Sequence, residues 1–169
     1  IDENDKPDTT LRPNQLFAIS LPFALIEGDK AEAVLKIVEE KLYTPVGLRS
    51  LTAEDVHYVH HYGGDQWHRD SSYHEGTVWS WLLGPYVNAL DKVKSQKSKV
   101  KSVIDNFMYH LNEGCIGQVS EIFDADSPHH PRGCVAQAWG VAEILRVMTE
   151  YKLYDAKGEI VNKKKLVTQ

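Results

Sequence analysis

Along most of the chain apolar positions recur every three or four residues, a spacing that predicts about five helices. From Pro13 to Ile26, Leu16, Ile19, Leu21, Phe23 and Leu25 crowd together with only Ser20 interrupting them, so this segment is expected to be enclosed by protein. Pro13 suits a first helical turn, and Pro22 kinks or ends the helix. From Asp29 to Tyr43, Ala33, Val34, Ile37, Val38 and Leu42 follow helical spacing, with lysines and glutamates opposite. A third helix is predicted over Thr77–Lys94, interrupted or bent near Gly84 and Pro85. A fourth runs from Ser98 to Asn112 and a last one from Cys134 to Tyr151. Two stretches lack a sustained period: Thr44–Gly76, with Pro45, Gly47, Gly63 and Gly64, and Cys115–Gly133, with Glu121, Asp124, Asp126, Pro128 and Pro131. Long irregular segments inside a chain of this size usually carry function. No repeat or strand-rich region is visible, and the polar stretch 152–169 is expected to form a short hairpin around Asp155–Gly158 or to fray. The expected class is all-α, helices joined by long, chemically rich loops.

Composition narrows what such a chain does. Its 169 residues fit one domain or part of a larger one, and 42% apolar with 25% charged residues exclude extended disorder and a disulfide scaffold. A net charge of −5, with the single basic run Lys163–Lys165 in the tail, argues against a nucleic-acid partner. No apolar stretch approaches the roughly 18–20 residues that span a bilayer, so no membrane partner is expected. The N-terminus is acidic (Asp2, Glu3, Asp5, Asp8) where a secretory signal is basic, and the chain reads as cytoplasmic. Cys115 and Cys134 are accordingly expected to be reduced and buried.

Eight histidines raise the question of a metal. His57, His60 and His61 lie close in sequence, and His68, His74, His129 and His130 sit in the irregular segments, yet no H-E-x-x-H or Cys/His zinc spacing is present. No metal and no cofactor are expected. The string Tyr73-His74-Glu75-Gly76-Thr77-Val78-Trp79-Ser80-Trp81 joins an imidazole, a carboxylate and two indoles. Indole faces stack on the C–H faces of sugars while planar polar groups bond hydroxyls, so the mixture suits a carbohydrate pocket; taken alone, Trp79 and Trp81 read better as core. Glu121 is a single charge among Ile116, Val119, Ile122 and Phe123. Glycosidic hydrolysis needs paired carboxylates, but a buried ion pair from Glu121 to Arg132 or Arg12 explains the same spacing.

Four strings, read in order, narrow these alternatives. They are Leu11-Arg12-Pro13-Asn14-Gln15-Leu16-Phe17-Ala18; Tyr43-Thr44-Pro45-Val46-Gly47-Leu48-Arg49-Ser50-Leu51; Arg69-Asp70 through Trp81-Leu82-Leu83-Gly84-Pro85-Tyr86; and Ser120-Glu121-Ile122-Phe123-Asp124 leading to Gln137-Ala138-Trp139. Over Leu11–Arg146 the chain resembles the C-terminal part of the glycogen debranching enzyme family, the amylo-α-1,6-glucosidase domain. The resemblance implies the C-terminal half of an (α/α)6 toroid over residues 1–151, with 152–169 a polar tail. It also implies inverting hydrolysis of α-1,6-linked glucose stubs in a branched α-glucan. Glu121, at the family's base position thirteen residues before Cys134, is the implied general base. Arg12, Asn14, Gln15, His74, Glu75, Trp79, Trp81, Gln137 and Trp139 are implied in the sugar subsite.

The family's general acid, an aspartate in an upstream Trp-Met-Asp motif, has no counterpart in these residues. The implied toroid would then expose an apolar inner face around Phe17 and Ile19, and docking of the upstream half or self-association is expected. Glu75 stands where the family usually has Gln, Ser80 where it has Pro, and Gly140 where it has Ser. Glu75 would bring a negative charge to the pocket, raising the pKa of a neighbouring carboxylate or repelling it. The alternative to a catalytic part is a non-catalytic α-glucan-binding or interaction fragment.

Overall fold

The computed structural model describes residues 5–94 and 97–154. The expected hairpin around Asp155–Gly158 and the run Lys163–Lys165 lie outside the described residues.

The first expected helix is a 3-10 turn, Pro13–Leu16, running into a single turn of α-helix, α1 (Phe17–Ser20). It stops there because Leu21 precedes Pro22 and takes extended backbone, as sterics before proline favour. Phe23, 90% exposed, and Leu25 therefore stand in solvent instead of being enclosed, while Ile19 is buried and Phe17 half-buried. The exposed apolar face lies on this loop and not around Phe17 and Ile19.

Helix α2 (Gly28–Lys41) carries Asp29 in its first turn and Lys41 in its last, the charges its dipole favours at each end. Ala31, Leu35 and Val38 form its buried stripe, so the inward face is turned away from Ala33, which is exposed. Within the first irregular stretch lies a short helix, α3 (Gln66–Ser72), capped by the Asp65 carboxylate accepting from the His68 N–H at 3.0 Å. Helix α4 (Leu83–Lys94) begins where a bend was expected, because Pro85 is tolerated in a first turn, where its missing N–H has no helical partner. Helix α5 (Lys97–Met108) ends in a 3-10 turn, Tyr109–Asn112, and α6 (Ala138–Glu150) starts at the Gln137 cap, four residues later than periodicity suggests. Helix α4 lies at the centre, packed by α1, α2, α5 and α6.

The all-α expectation is overturned by a sheet. Strands β1 (Tyr43–Thr44), β2 (Gly47–Arg49), β3 (Val78–Trp79), β4 (Ile122–Phe123) and β5 (Pro131–Arg132) pair in chain order, every neighbour antiparallel. The described residues thus form a mixed helix-and-sheet fold. Strands of two or three residues show no alternation, and the partners of β3 come from distant parts of the chain, so no local window reveals them. Gly47, at φ 153°, permits the approach of β2 to β3, since a Cβ there would collide with the Trp79 carbonyl. The register sets Leu48 opposite Trp79 and Trp79 opposite Ile122. Leu48, Val78, Ile122 and Phe123 bury their side chains with Leu35, Leu83, Tyr86, Phe107 and Val147 in one core. The sheet thereby carries the two irregular stretches to a common edge.

Candidate active site

Arg12, just before the first 3-10 turn, reaches across to the turn that follows α3. Its Nη1 donates to the His74 carbonyl at 2.5 Å and to the Ser50 carbonyl at 3.3 Å, and its Nη2 donates to both Glu75 carboxylate oxygens at 3.1 and 3.0 Å. The Glu75 charge is therefore matched by a guanidinium. Gln15 turns back and donates to the Arg12 carbonyl at 3.0 Å.

Beside this knot the aromatics form a continuous wall. The His74 ring lies flat on Trp79, centroids 5.1 Å apart and planes within 4°. Trp139 meets Trp79 edge-on at 5.8 Å and stacks on Trp81 at 5.0 Å, and Trp81 stacks on Phe17 at 6.0 Å. Trp79 is only 4% exposed and belongs to the core, whereas Trp139 is 45% exposed. The wall borders a cavity of about 230 Å³ bounded by Arg12, Pro13, Asn14, Ser50, His74, Trp79, Trp81, Leu82 and Trp139. Six of the expected sugar-subsite residues thus meet at one cavity, and Ser50, Pro13 and Leu82 join them unforeseen.

Glu121 lies just outside that lining, on the strand side. It is 8% exposed and immediately precedes β4. One carboxylate oxygen accepts from the Tyr73 hydroxyl and the other from the Cys134 N–H at 2.9 Å. The Tyr73 ring in turn contacts Trp79 edge-on at 4.7 Å. Neither arginine that might have paired with Glu121 does so, since Arg132 holds Asp124 at 2.8 Å and Arg12 holds Glu75. Burial acts to raise the Glu121 pKa, but hydrogen bonds from Tyr73, from the N–H and thiol of Cys134 and from Gln137 outweigh it, and the carboxyl is held below its ordinary range. Burial, reinforced by the Glu121 charge, pushes the Tyr73 hydroxyl up, so it remains a donor. Gly133, at φ 66°, makes room for the carboxylate, because a Cβ there would collide with it.

Gln137 is split between two tasks, accepting from the Ala138 N–H at 2.9 Å as the cap of α6 and donating to Glu121. Cys134 follows the Gly133 turn and is exposed, and Cys115 is half-buried, so both are free thiols but neither is buried as expected. Tyr73 is the contributor that sequence reasoning passed over. Its signal was available, because a carboxylate in apolar surroundings needs hydrogen-bond donors. The loop histidines are engaged locally: His61 with Asp124 at 3.1 Å, His68 with Asp65 at 2.7 Å and His129 with the Asp124 carbonyl at 3.1 Å. Among the described residues no three His, Cys, Asp or Glu side chains converge to hold a metal. Nor is any helix among them long and apolar enough to cross a membrane.

Ser80 and Gly140, two of the departures from the family's usual residues, touch. A Cβ at Gly140 would stand 2.7 Å from the Ser80 hydroxyl, so a side chain there would crowd it.

An indole wall, hydrogen-bonding groups at its edge and a buried carboxylate one tyrosine away thus stand together. The chain belongs to the amylo-alpha-1,6-glucosidase family, whose sequence profile matches residues 1–146. It is 26% identical over 172 aligned residues to the glycogen debranching enzyme of Saccharomyces cerevisiae, an alignment covering 88% of this chain and 11% of the yeast enzyme. The chain thus spans about a tenth of that relative's length.

Proposed function

We propose that residues 1–151 are the C-terminal portion of a catalytic domain that hydrolyses α-1,6-linked glucose in a branched α-glucan, with 152–169 a polar tail and the cytoplasm its compartment. Glu121 is the general base: as a carboxylate it accepts a proton from the water that attacks the anomeric carbon, and attack from the face opposite the leaving oxygen inverts that centre. Arg12, Asn14, His74, Trp79, Trp81 and Trp139 hold the sugar, while Gln15, Glu75 and Gln137 brace them or the base. The general acid comes from outside these residues, about 6.5–9.5 Å from Glu121 to leave room for the water. The loop bearing Leu21, Phe23 and Leu25 is where the remaining part of the enzyme, or a second copy, docks.

The observation supporting this reading is that Glu121 is buried with no cationic partner among the described residues, yet joined through Tyr73 to the aromatic wall. It is tested by purifying the chain together with the remainder of the catalytic domain and measuring glucose release from branched dextrin. Release is expected, and Glu121→Gln should reduce it by at least about 100-fold. No release from the folded assembly overturns the reading.

One observation favours a second reading, a glucan-binding module without catalysis: among the described residues no carboxylate lines the cavity itself. Retention on immobilised glycogen that Glu121→Gln leaves unchanged, without glucose release from the assembly, would establish it.

A further inference from the structure

The backbone bearing Glu121 is held by groups that the sugar cavity does not account for. Ser120 is buried and donates its N–H to Nε2 of His110 at 3.1 Å, while its carbonyl accepts from the Ser80 hydroxyl at 2.9 Å. Both polar groups of one peptide residue are thus taken by buried side chains. On either side the chain is tied by backbone bonds: the Gln137 N–H donates to the Val119 carbonyl at 3.1 Å, and the Glu121 N–H to the Cys134 carbonyl at 2.9 Å.

His110 is 1% exposed, set edge-on to Phe107 at 5.6 Å and to Phe123 at 4.6 Å. Because Nε2 accepts from Ser120, the ring proton of neutral His110 belongs on Nδ1, an assignment made from the bonding pattern. That Nδ1 has no hydrogen-bond partner and faces the Glu113 carboxylate at 3.5 Å. Burying a polar ring whose second nitrogen has only this long contact costs stability that an apolar side chain of the same size would not. Packing against two phenylalanines therefore does not explain an imidazole at this place, whereas the acceptor it offers to Ser120 does. Ser80 is likewise fully buried, and the missing Cβ of Gly140 leaves its hydroxyl free to reach Ser120.

We propose that His110 and Ser80 are positioning residues for Glu121, clamping the preceding residue, Ser120, by its N–H and its carbonyl and so aiming the carboxylate. Neither borders the cavity, so each acts through Glu121. The catalytic part of this inference rests on Glu121 as the base; the geometric part does not.

The test follows, in the full chain, the titration of the carbon-13-labelled Glu121 carboxyl and the hydrogen exchange of the Ser120 amide. His110→Phe keeps a ring and removes the acceptor, His110→Gln supplies an amide oxygen near the place of Nε2, and Ser80→Ala removes one hydroxyl. In His110→Phe the Ser120 amide should exchange about tenfold faster, and the Glu121 midpoint should rise by about one unit. His110→Gln should restore both. Ser80→Ala should raise the midpoint while leaving the Ser120 amide protected. With the remainder of the domain present, His110→Phe and Ser80→Ala should lower kcat about tenfold with KM unchanged.

An unmoved Glu121 midpoint in Ser80→Ala and His110→Phe overturns the proposal, as does His110→Gln behaving like His110→Phe. Should His110→Phe fail to fold, Ser80→Ala decides alone, and an unmoved midpoint there is sufficient to reject it. If the midpoints shift as stated but the wild-type assembly releases no glucose, the clamp stands and the base assignment falls.

Discussion

The Tyr73 hydroxyl donates its hydrogen bond to the carboxylate of Glu121, across 48 residues of sequence, and the same ring rests edge-on against Trp79. One side chain thereby joins the charged group to the aromatic wall. Tyr73→Phe keeps the ring contact and removes the donor, so it should cost about 1.5–3 kcal/mol, the range for a bond to a charged group. The Glu121 pKa should rise, because burial persists while its main counterweight is gone. Urea unfolding and carboxyl titration measure the two effects separately.

Acid should weaken the fold in a definite window. The Glu121 and Asp124 carboxyls both sit below their ordinary values of 4.5 and 3.8; burial opposes this in each, but Tyr73 and Cys134 outweigh it for Glu121, and Arg132 and the Tyr62 N–H do so for Asp124. A depressed folded-state pKa contributes stability that is fully present above the unfolded value and is lost as pH falls through the folded one. Urea midpoints should therefore be flat in this contribution above about pH 5 and fall below about pH 4.5. Asp124→Asn should show a shallower acid decline than the wild type.

Two tryptophans of the wall should separate stability from binding. Trp79→Ala empties a core position and should cost about 3–5 kcal/mol. Trp139→Ala, at a half-open position, should cost less stability and yet abolish most retention on immobilised glycogen. Paired denaturation and retention measurements check the contrast, and equal loss of stability in both variants would contradict it.

The grip of Arg12 should prove geometric as much as electrostatic. Lysine offers a point charge and cannot span two carboxylate oxygens and two carbonyls. Arg12→Lys should weaken glycogen retention about tenfold, whereas Glu75→Gln, which leaves an acceptor in place, should stay within about 0.5–1 kcal/mol of wild-type stability. Retention assays and thermal unfolding read the two outcomes.

How much of this was legible in the sequence depends on the range over which each signal acts. Helix α2 shows in its own periodicity, although Ala31 and Leu35, not Ala33, join Val38 and Leu42 on the buried side. Val78 and Trp79 continue the apolar run into α4 and so look helical, but pairing with Leu48, Arg49, Ile122 and Phe123 draws them into a strand. Long-range pairing overrides local period there. The cavity was legible because its chemistry is concentrated in short strings around Arg12, His74 and Trp139. Tyr73 was legible only through the need of a carboxylate in apolar surroundings for a donor, and His110 was not, since it is defined by its bond to Ser120 rather than by its neighbours in sequence.

The five-strand meander also bears on how such a site is held. Trp79 and Ile122 are set opposite one another by the strand register, and the connections from Arg49 to Val78 and from Phe123 to Pro131 leave the sheet at the same end. The first of these connections brings Ser50 and His74 to the cavity lining. The meander thus acts as a chassis, fixing Glu121, next to β4, relative to that lining.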